Sequence, residues 1–169
     1  MIELVVGGAR SGKSRYALNS ALARPGPHVF IATAEAGDEE MAGRIGRHKL
    51  DRGPQWAVIE EPLQLAQAVN NLEAGNVAVI DCLTLWLSNW LCNEDTASWH
   101  EERAAFIQSL HDTGADIILV SNETGLGVIP VGELSRNFVD ESGWLHQELA
   151  KLADHVVMVM LGIPQVLKS

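Results

Sequence analysis

Residues Gly7-Gly8-Ala9-Arg10-Ser11-Gly12-Lys13-Ser14 spell G-x-x-x-x-G-K-S. Between a strand and a helix, this spacing makes a cradle for phosphates. Glycines let the backbone curl until several N–H groups point at one anion. The start of the following helix adds the positive end of its dipole. On this reading Lys13 reaches the β- and γ-phosphates and Ser14 holds Mg²⁺. The bland alternative is a glycine-rich turn with a chance lysine. The apolar run Ile2-Glu3-Leu4-Val5-Val6 before it and the helix-like Arg15-Tyr16-Ala17-Leu18 after it weigh against that alternative.

Other residues with chemistry to offer follow. Val77-Ala78-Val79-Ile80-Asp81 is four apolar residues and then an acid, the pattern of a Walker-B strand. Its carboxylate can accept from Mg²⁺-bound water near Ser14. The competing role for Asp81 is to cap the helix starting at Leu83. Four of the twelve Lys and Arg residues, Arg44, Arg47, Lys49 and Arg52, crowd around His48. They fit either a solvated helix face or a polyanion pocket facing the cradle. The loop Asn122–Pro130, with two glycines and a proline at a strand's end, is a candidate substrate loop or a plain connector.

The elements that must carry these residues read as alternating strands and helices. Strands are expected at about 2–6, His28–Thr33, Trp56–Ile59, Val77–Asp81, Asp116–Ser121 and His155–Met160. Their continuous apolar runs suit a parallel sheet covered on both faces. Helices are expected from Lys13 to Leu22, from Asp38 to about Arg52, from Pro62, from Leu83 to Leu91, from a Ser98 capping box to Asp112, and from Glu133 to Ala153. The Leu- and Trp-rich stretch Leu83–Leu91 suits a core helix or a subunit contact. Gly162-Ile163-Pro164 reads as the beginning of a short tail. No repeat or linker interrupts the chain, so residues 1–169 are expected to form one α/β domain.

Composition sets bounds. The chain has 169 residues, 47% hydrophobic, with net charge −10. That balance argues against a nucleic-acid or anionic-membrane surface, because either needs an extended basic patch. No uncharged apolar stretch is long enough to span a bilayer. Cys82 and Cys92 lack metal-ligand spacing and read as reduced core thiols. A strand beginning at residue 2 leaves no room for a signal peptide, so a cytoplasmic protein is expected.

Taken together, GGARSGKS (7–14), IAT (31–33), DEEMAGRIGRHK (38–49), DCLTLWL (81–87) and SNETGLGVIP (121–130) closely resemble the bifunctional cobinamide kinase/cobinamide-phosphate guanylyltransferase family of cobalamin biosynthesis. The resemblance runs over nearly the whole chain. It implies a RecA-like P-loop fold and a trimeric homo-oligomer. It also implies two reactions. The first phosphorylates the aminopropanol hydroxyl of adenosylcobinamide with ATP or GTP. The second transfers GMP from GTP to that phosphate through a GMP–histidine intermediate.

His48 matches the family's histidine. Some relatives carry two adjacent histidines where this chain has Arg47 and then His48. The resemblance also implies that Ala32, Thr33 and Ala34, the segment Lys49, Leu50, Asp51 and Arg52, and Glu60 and Asp81 line the guanine nucleotide site. A carboxylate such as Glu60 can accept from guanine N1–H and N2–H₂ and so reject adenine. A monofunctional P-loop kinase and a nucleotide-switched binding module are the competing readings.

Overall fold

The computed structural model describes residues 1–34, 53, 55–92 and 96–169. The helix expected from Asp38 to about Arg52, with His48 and its basic neighbours, lies outside the described residues.

The apolar runs form the inner strands. β1 (Ile2–Gly7) is buried throughout, and β4 (Val77–Asp81) and β5 (Asp116–Asn122) are buried except at their ends. With β2 (His28–Ala32), β3 (Trp56–Glu60), β6 (His155–Met160) and β7 (Ile163–Lys168) they make one sheet in the order β3-β2-β4-β5-β1-β6-β7. Every pairing is parallel except β6 with β7.

Side chains of a strand alternate between faces, and on the inner strands both faces are dry. Ile2, Leu4 and Val6 enter one core cluster, and Val5 enters the other. α1 (Lys13–Leu22) covers the Val5 face with Ala17 and Ala21. α2 (Leu65–Asn70), α3 (Leu83–Cys92), α4 (Thr96–Asp112) and α5 (Glu133–Leu152) all contribute to the cluster on the opposite face.

The tryptophan-rich α3 is spent inside the chain. Trp86 packs at 4.9 Å against both Trp99 and Phe106, centroid to centroid. The indoles of Trp86 and Trp90 both donate to the Leu63 carbonyl, at 2.8 and 3.1 Å. That is how large apolar rings with one polar N–H are buried without loss.

Several boundaries differ from the sequence reading. α2 starts at Leu65 rather than at Pro62. The Glu61 carboxylate accepts the N–H groups of Leu63 and Gln64, at 2.9 and 2.7 Å, and so holds an open turn after the proline. α4 begins at Thr96, which puts Ser98 inside the helix rather than at its cap. Cys92 is exposed, so only Cys82 is a core thiol. The expected tail is instead the edge strand β7. Leu161 and Gly162, with φ of 55° and 79°, form a two-residue hairpin turn between the paired Met160 and Ile163. Left-handed conformation at both positions is what a type I′ turn requires. Pro164 fits there because an edge strand has no outer partner for an N–H.

Candidate active site

β1 delivers the chain to the cradle. A Cβ on Gly7 would lie 2.4 Å from the Val159 carbonyl oxygen and 2.7 Å from Ser11 Oγ, so only glycine fits. The chain then curls through Arg10 (φ 55°) and Gly12 (φ 98°), with the Ser11 N–H donating to Gly8 O at 3.2 Å. α1 starts at Lys13, and its cap residue Gly12 has no side chain to satisfy the first N–H groups. Those donors need an acceptor, and an anion is the natural one. Lys13 is buried and folds back over the loop, where its Nζ donates to Gly8 O at 3.0 Å. A positive group and uncapped N–H donors thus converge on one concavity.

That concavity is a cavity of about 700 Å³. Residues 9–15 line it from below, joined by Asn122 at the end of β5 and by the Leu161–Gly162 turn. The turn is tied to the cradle by the Gly162 N–H, which donates to Ser11 O at 2.9 Å. The sequence reading missed this wall. Its one local signal is the Leu-Gly pair after a strand, a weak turn marker.

The remaining site residues of the sequence reading gather at the carboxyl ends of neighbouring strands. Ala32 is the register partner of both Glu60 and Asp81, so the three lie in one row across β3, β2 and β4. Strands stand about 4.8 Å apart, so Glu60 lies roughly 19 Å across the sheet from β1, with Asp81 midway. Asp81 and Lys13 nonetheless act on one thiol. Burial pushes Cys82 up to about 11, the Asp81 charge adds to that, and the Lys13 charge opposes it.

Thr33 turns its hydroxyl inward. It donates to Cys82 O at 2.7 Å and accepts the Cys82 N–H at 2.8 Å. Asn89 Nδ2 bridges the Thr33 and Pro62 carbonyls, at 2.9 and 3.0 Å. Lys49, Leu50, Asp51, Arg52 and His48 lie outside the described residues.

The donor set suits Mg²⁺ more than a softer metal. Ser14 offers a hydroxyl and Asp81 a carboxylate, both hard oxygens. Mg²⁺ commonly takes one or two protein ligands and completes its shell with phosphate and water. Among the described residues no three His, Cys, Asp or Glu side chains converge, as a protein-only metal cage would need.

A second polar cluster fixes the root of the Asn122–Pro130 loop. The Glu123 N–H donates to Gly7 O at 3.0 Å, and its Oε1 accepts the Gly125 N–H at 2.6 Å. The Asn122 N–H donates to Thr84 Oγ at 2.7 Å. His146 of α5 sits between Ser121 Oγ, 2.8 Å from its Nε2, and Glu123 Oε2, 3.7 Å from its Nδ1. Burial pulls the imidazole below its ordinary value, and the nearby Glu123 carboxylate only partly offsets this. Thr84 stands in the DCLTLWL block but was given no role there, and His146 stands in no motif, so the sequence reading singled out neither.

A mostly parallel sheet with a phosphate cradle after its first strand defines a RecA-like P-loop nucleotide-binding protein. The solved structures it resembles agree on the fold. The RadB recombinase aligns with 93% of this chain and 73% of its own, at 14% identity and a TM-score of 0.54. An ATPase of a type III secretion system aligns with 93% of this chain and 50% of its own, at 12% identity and a TM-score of 0.56.

Residues 3–167 match the model of the family described as cobinamide kinase / cobinamide phosphate guanyltransferase. The chain is 48% identical to the bifunctional adenosylcobalamin biosynthesis protein CobP of Pseudomonas aeruginosa, over 100% of this chain and 98% of that one. It is 35% identical to the corresponding CobU of Salmonella typhimurium, over 96% and 97%. The chain belongs to this family. It is a transferase of adenosylcobalamin biosynthesis, with cobinamide kinase and cobinamide phosphate guanylyltransferase activities. Among the described residues no helix is long and apolar enough to cross a membrane.

Proposed function

We propose that both reactions run on one cytoplasmic domain, residues 1–169, through the residues read from the sequence. Gly7–Ser14 hold the triphosphate of ATP or GTP, with Lys13 neutralising the phosphates. Ser14 and Asp81 hold Mg²⁺, which when bound offsets charge on the phosphate oxygens. In the kinase step the acceptor's hydroxyl oxygen attacks the γ-phosphorus. The hydroxyl gives up its proton to solvent, the γ-phosphorus–bridging-oxygen bond breaks, and the nucleoside diphosphate leaves with the electron pair.

In the second reaction a neutral imidazole nitrogen of His48 attacks the α-phosphorus of GTP. The bond from the α-phosphorus to the bridging oxygen breaks, and pyrophosphate leaves toward Lys13 and the cradle N–H groups. A phosphate oxygen of phosphorylated cobinamide then attacks the same phosphorus and frees the histidine. Ala32, Thr33, Ala34, Glu60 and Asp81, with Lys49–Arg52, line the guanine nucleotide site, and Glu60 accepts from the guanine N1–H and N2–H₂. His48 follows Ala34 by fourteen residues in the chain. A homo-oligomer, a trimer by the family's pattern, is part of the same reading.

The observation that carries the proposal is the uncapped start of α1 under the folded-back Lys13. Its test is intact mass after incubation with Mg²⁺ and GTP. The wild type gains one GMP, labile to acid and stable to base as a phosphoramidate is. His48→Ala gains none and still phosphorylates cobinamide. An unchanged wild-type mass overturns the histidine step and leaves a plain kinase.

A further inference from the structure

We propose that the apolar lip Leu126, Val128, Ile129 and Val131 seats the corrinoid acceptor beside the phosphate cavity. The inference rests on the reading that the cradle holds the phosphate donor. These four side chains are 72% to 96% exposed. Four exposed apolar side chains within six residues of one loop are unfavourable in water, and such stretches mark contact surfaces.

Two observations say what the surface takes. The first is charge. From Thr124 to Gly132 the chain carries no acidic, basic or histidine side chain. A phosphate or a nucleotide finds no counter-charge there. A large macrocycle with methyl-rich edges and neutral carboxamide arms finds apolar contact and free backbone. Glycine keeps that backbone open: a Cβ on Gly127 would meet nothing within 4 Å. Amide arms can therefore reach peptide groups directly.

The second is continuity with the reaction site. The lip's chain leaves β5 at Asn122, which itself lines the cavity over Lys13. Its root is braced on both sides. The Glu123 N–H bonds the cradle residue Gly7, and the Glu123 carboxylate faces His146 of α5. On the far side the Arg136 guanidinium donates to the Val131 carbonyl. A platform fixed at both ends, with its apolar side chains outward, holds a bulky acceptor while a flexible hydroxyl arm reaches the γ-phosphate. Positioning of this kind is what phosphoryl transfer needs most.

The test is the double variant Val128→Ser/Ile129→Ser of the full chain, compared with wild type. Cobinamide is titrated against each at equilibrium, without nucleotide, and sedimentation mass is measured on the same samples. We expect cobinamide affinity to fall about tenfold, with the KM for ATP in the kinase assay and the sedimentation mass unchanged. Unchanged cobinamide affinity overturns the proposal. So does a loss of affinity that accompanies a loss of mass, because the lip would then join copies of the chain. Lys13→Ala separates the underlying reading: undiminished turnover in that variant overturns the cradle's role, while the titration still reads the lip.

Discussion

The Thr33 hydroxyl and the Cys82 backbone exchange two hydrogen bonds, at 2.7 and 2.8 Å, and so clamp the end of β2 to the residue that follows Asp81. Both residues are buried, and the Cys82 carbonyl also accepts the Trp86 N–H at 3.2 Å, so the Cys82 N–H is the group that depends on Thr33. Thr33→Val keeps the shape and removes the oxygen. Leaving the buried Cys82 N–H without its acceptor costs about 1–3 kcal/mol. We predict a matching loss in urea unfolding and a rise in the KM for nucleotide, since Asp81 loses its neighbour's anchor. Unfolding midpoints that coincide for the two proteins would sink the idea that this clamp holds the row.

Gly7→Ala tests the cradle's shape. The added Cβ would stand 2.4 Å from a backbone oxygen of β6, closer than any real contact, so β1 or β6 must move. The cradle hangs between them, and displaced N–H groups no longer converge on a phosphate. We expect kcat/KM for ATP to fall by about tenfold or more while the far-UV circular dichroism stays that of a folded chain. Retention of wild-type kcat/KM would show that the loop tolerates the shift.

These two positions show what could be read from the sequence. Gly7–Ser14 was legible because the cradle is local: a glycine spacing, a lysine and a helix start within eight residues. The inner strands were legible because burial on both faces writes a mostly apolar run; β3 carries such a run in Trp56–Ile59 although Ala57 and Val58 are exposed. β7 was not, since its six residues are all exposed and Pro164 speaks against a strand. The start of α2 was misjudged because the Glu61 carboxylate, rather than Pro62, organises the turn. Non-local relations left no trace. Nothing in sequence spacing places Ala32 between Glu60 and Asp81, or His146 between Ser121 and Glu123.

His146 gives a pH prediction. It is pressed between Ser121 and Glu123 and is mostly buried, and burial is the larger effect, so its folded value lies below the ordinary 6.5. The unfolded chain therefore takes up the proton first as pH falls. Stability linked to this group is fully present above pH 6.5 and is lost as pH drops through the depressed folded value. Glu123 is the charged group that faces the ring. By attracting the proton it narrows the window without reversing its sign. In urea unfolding between about pH 8 and pH 5, wild type should lose stability faster than His146→Gln, which cannot titrate there. The amide can still bond Ser121, so the variant's loss at high pH should be the smaller effect. Parallel curves for the two proteins across that range would mean that the ring is not held neutral by burial. The brace at the root of the Asn122–Pro130 loop would then be insensitive to acid.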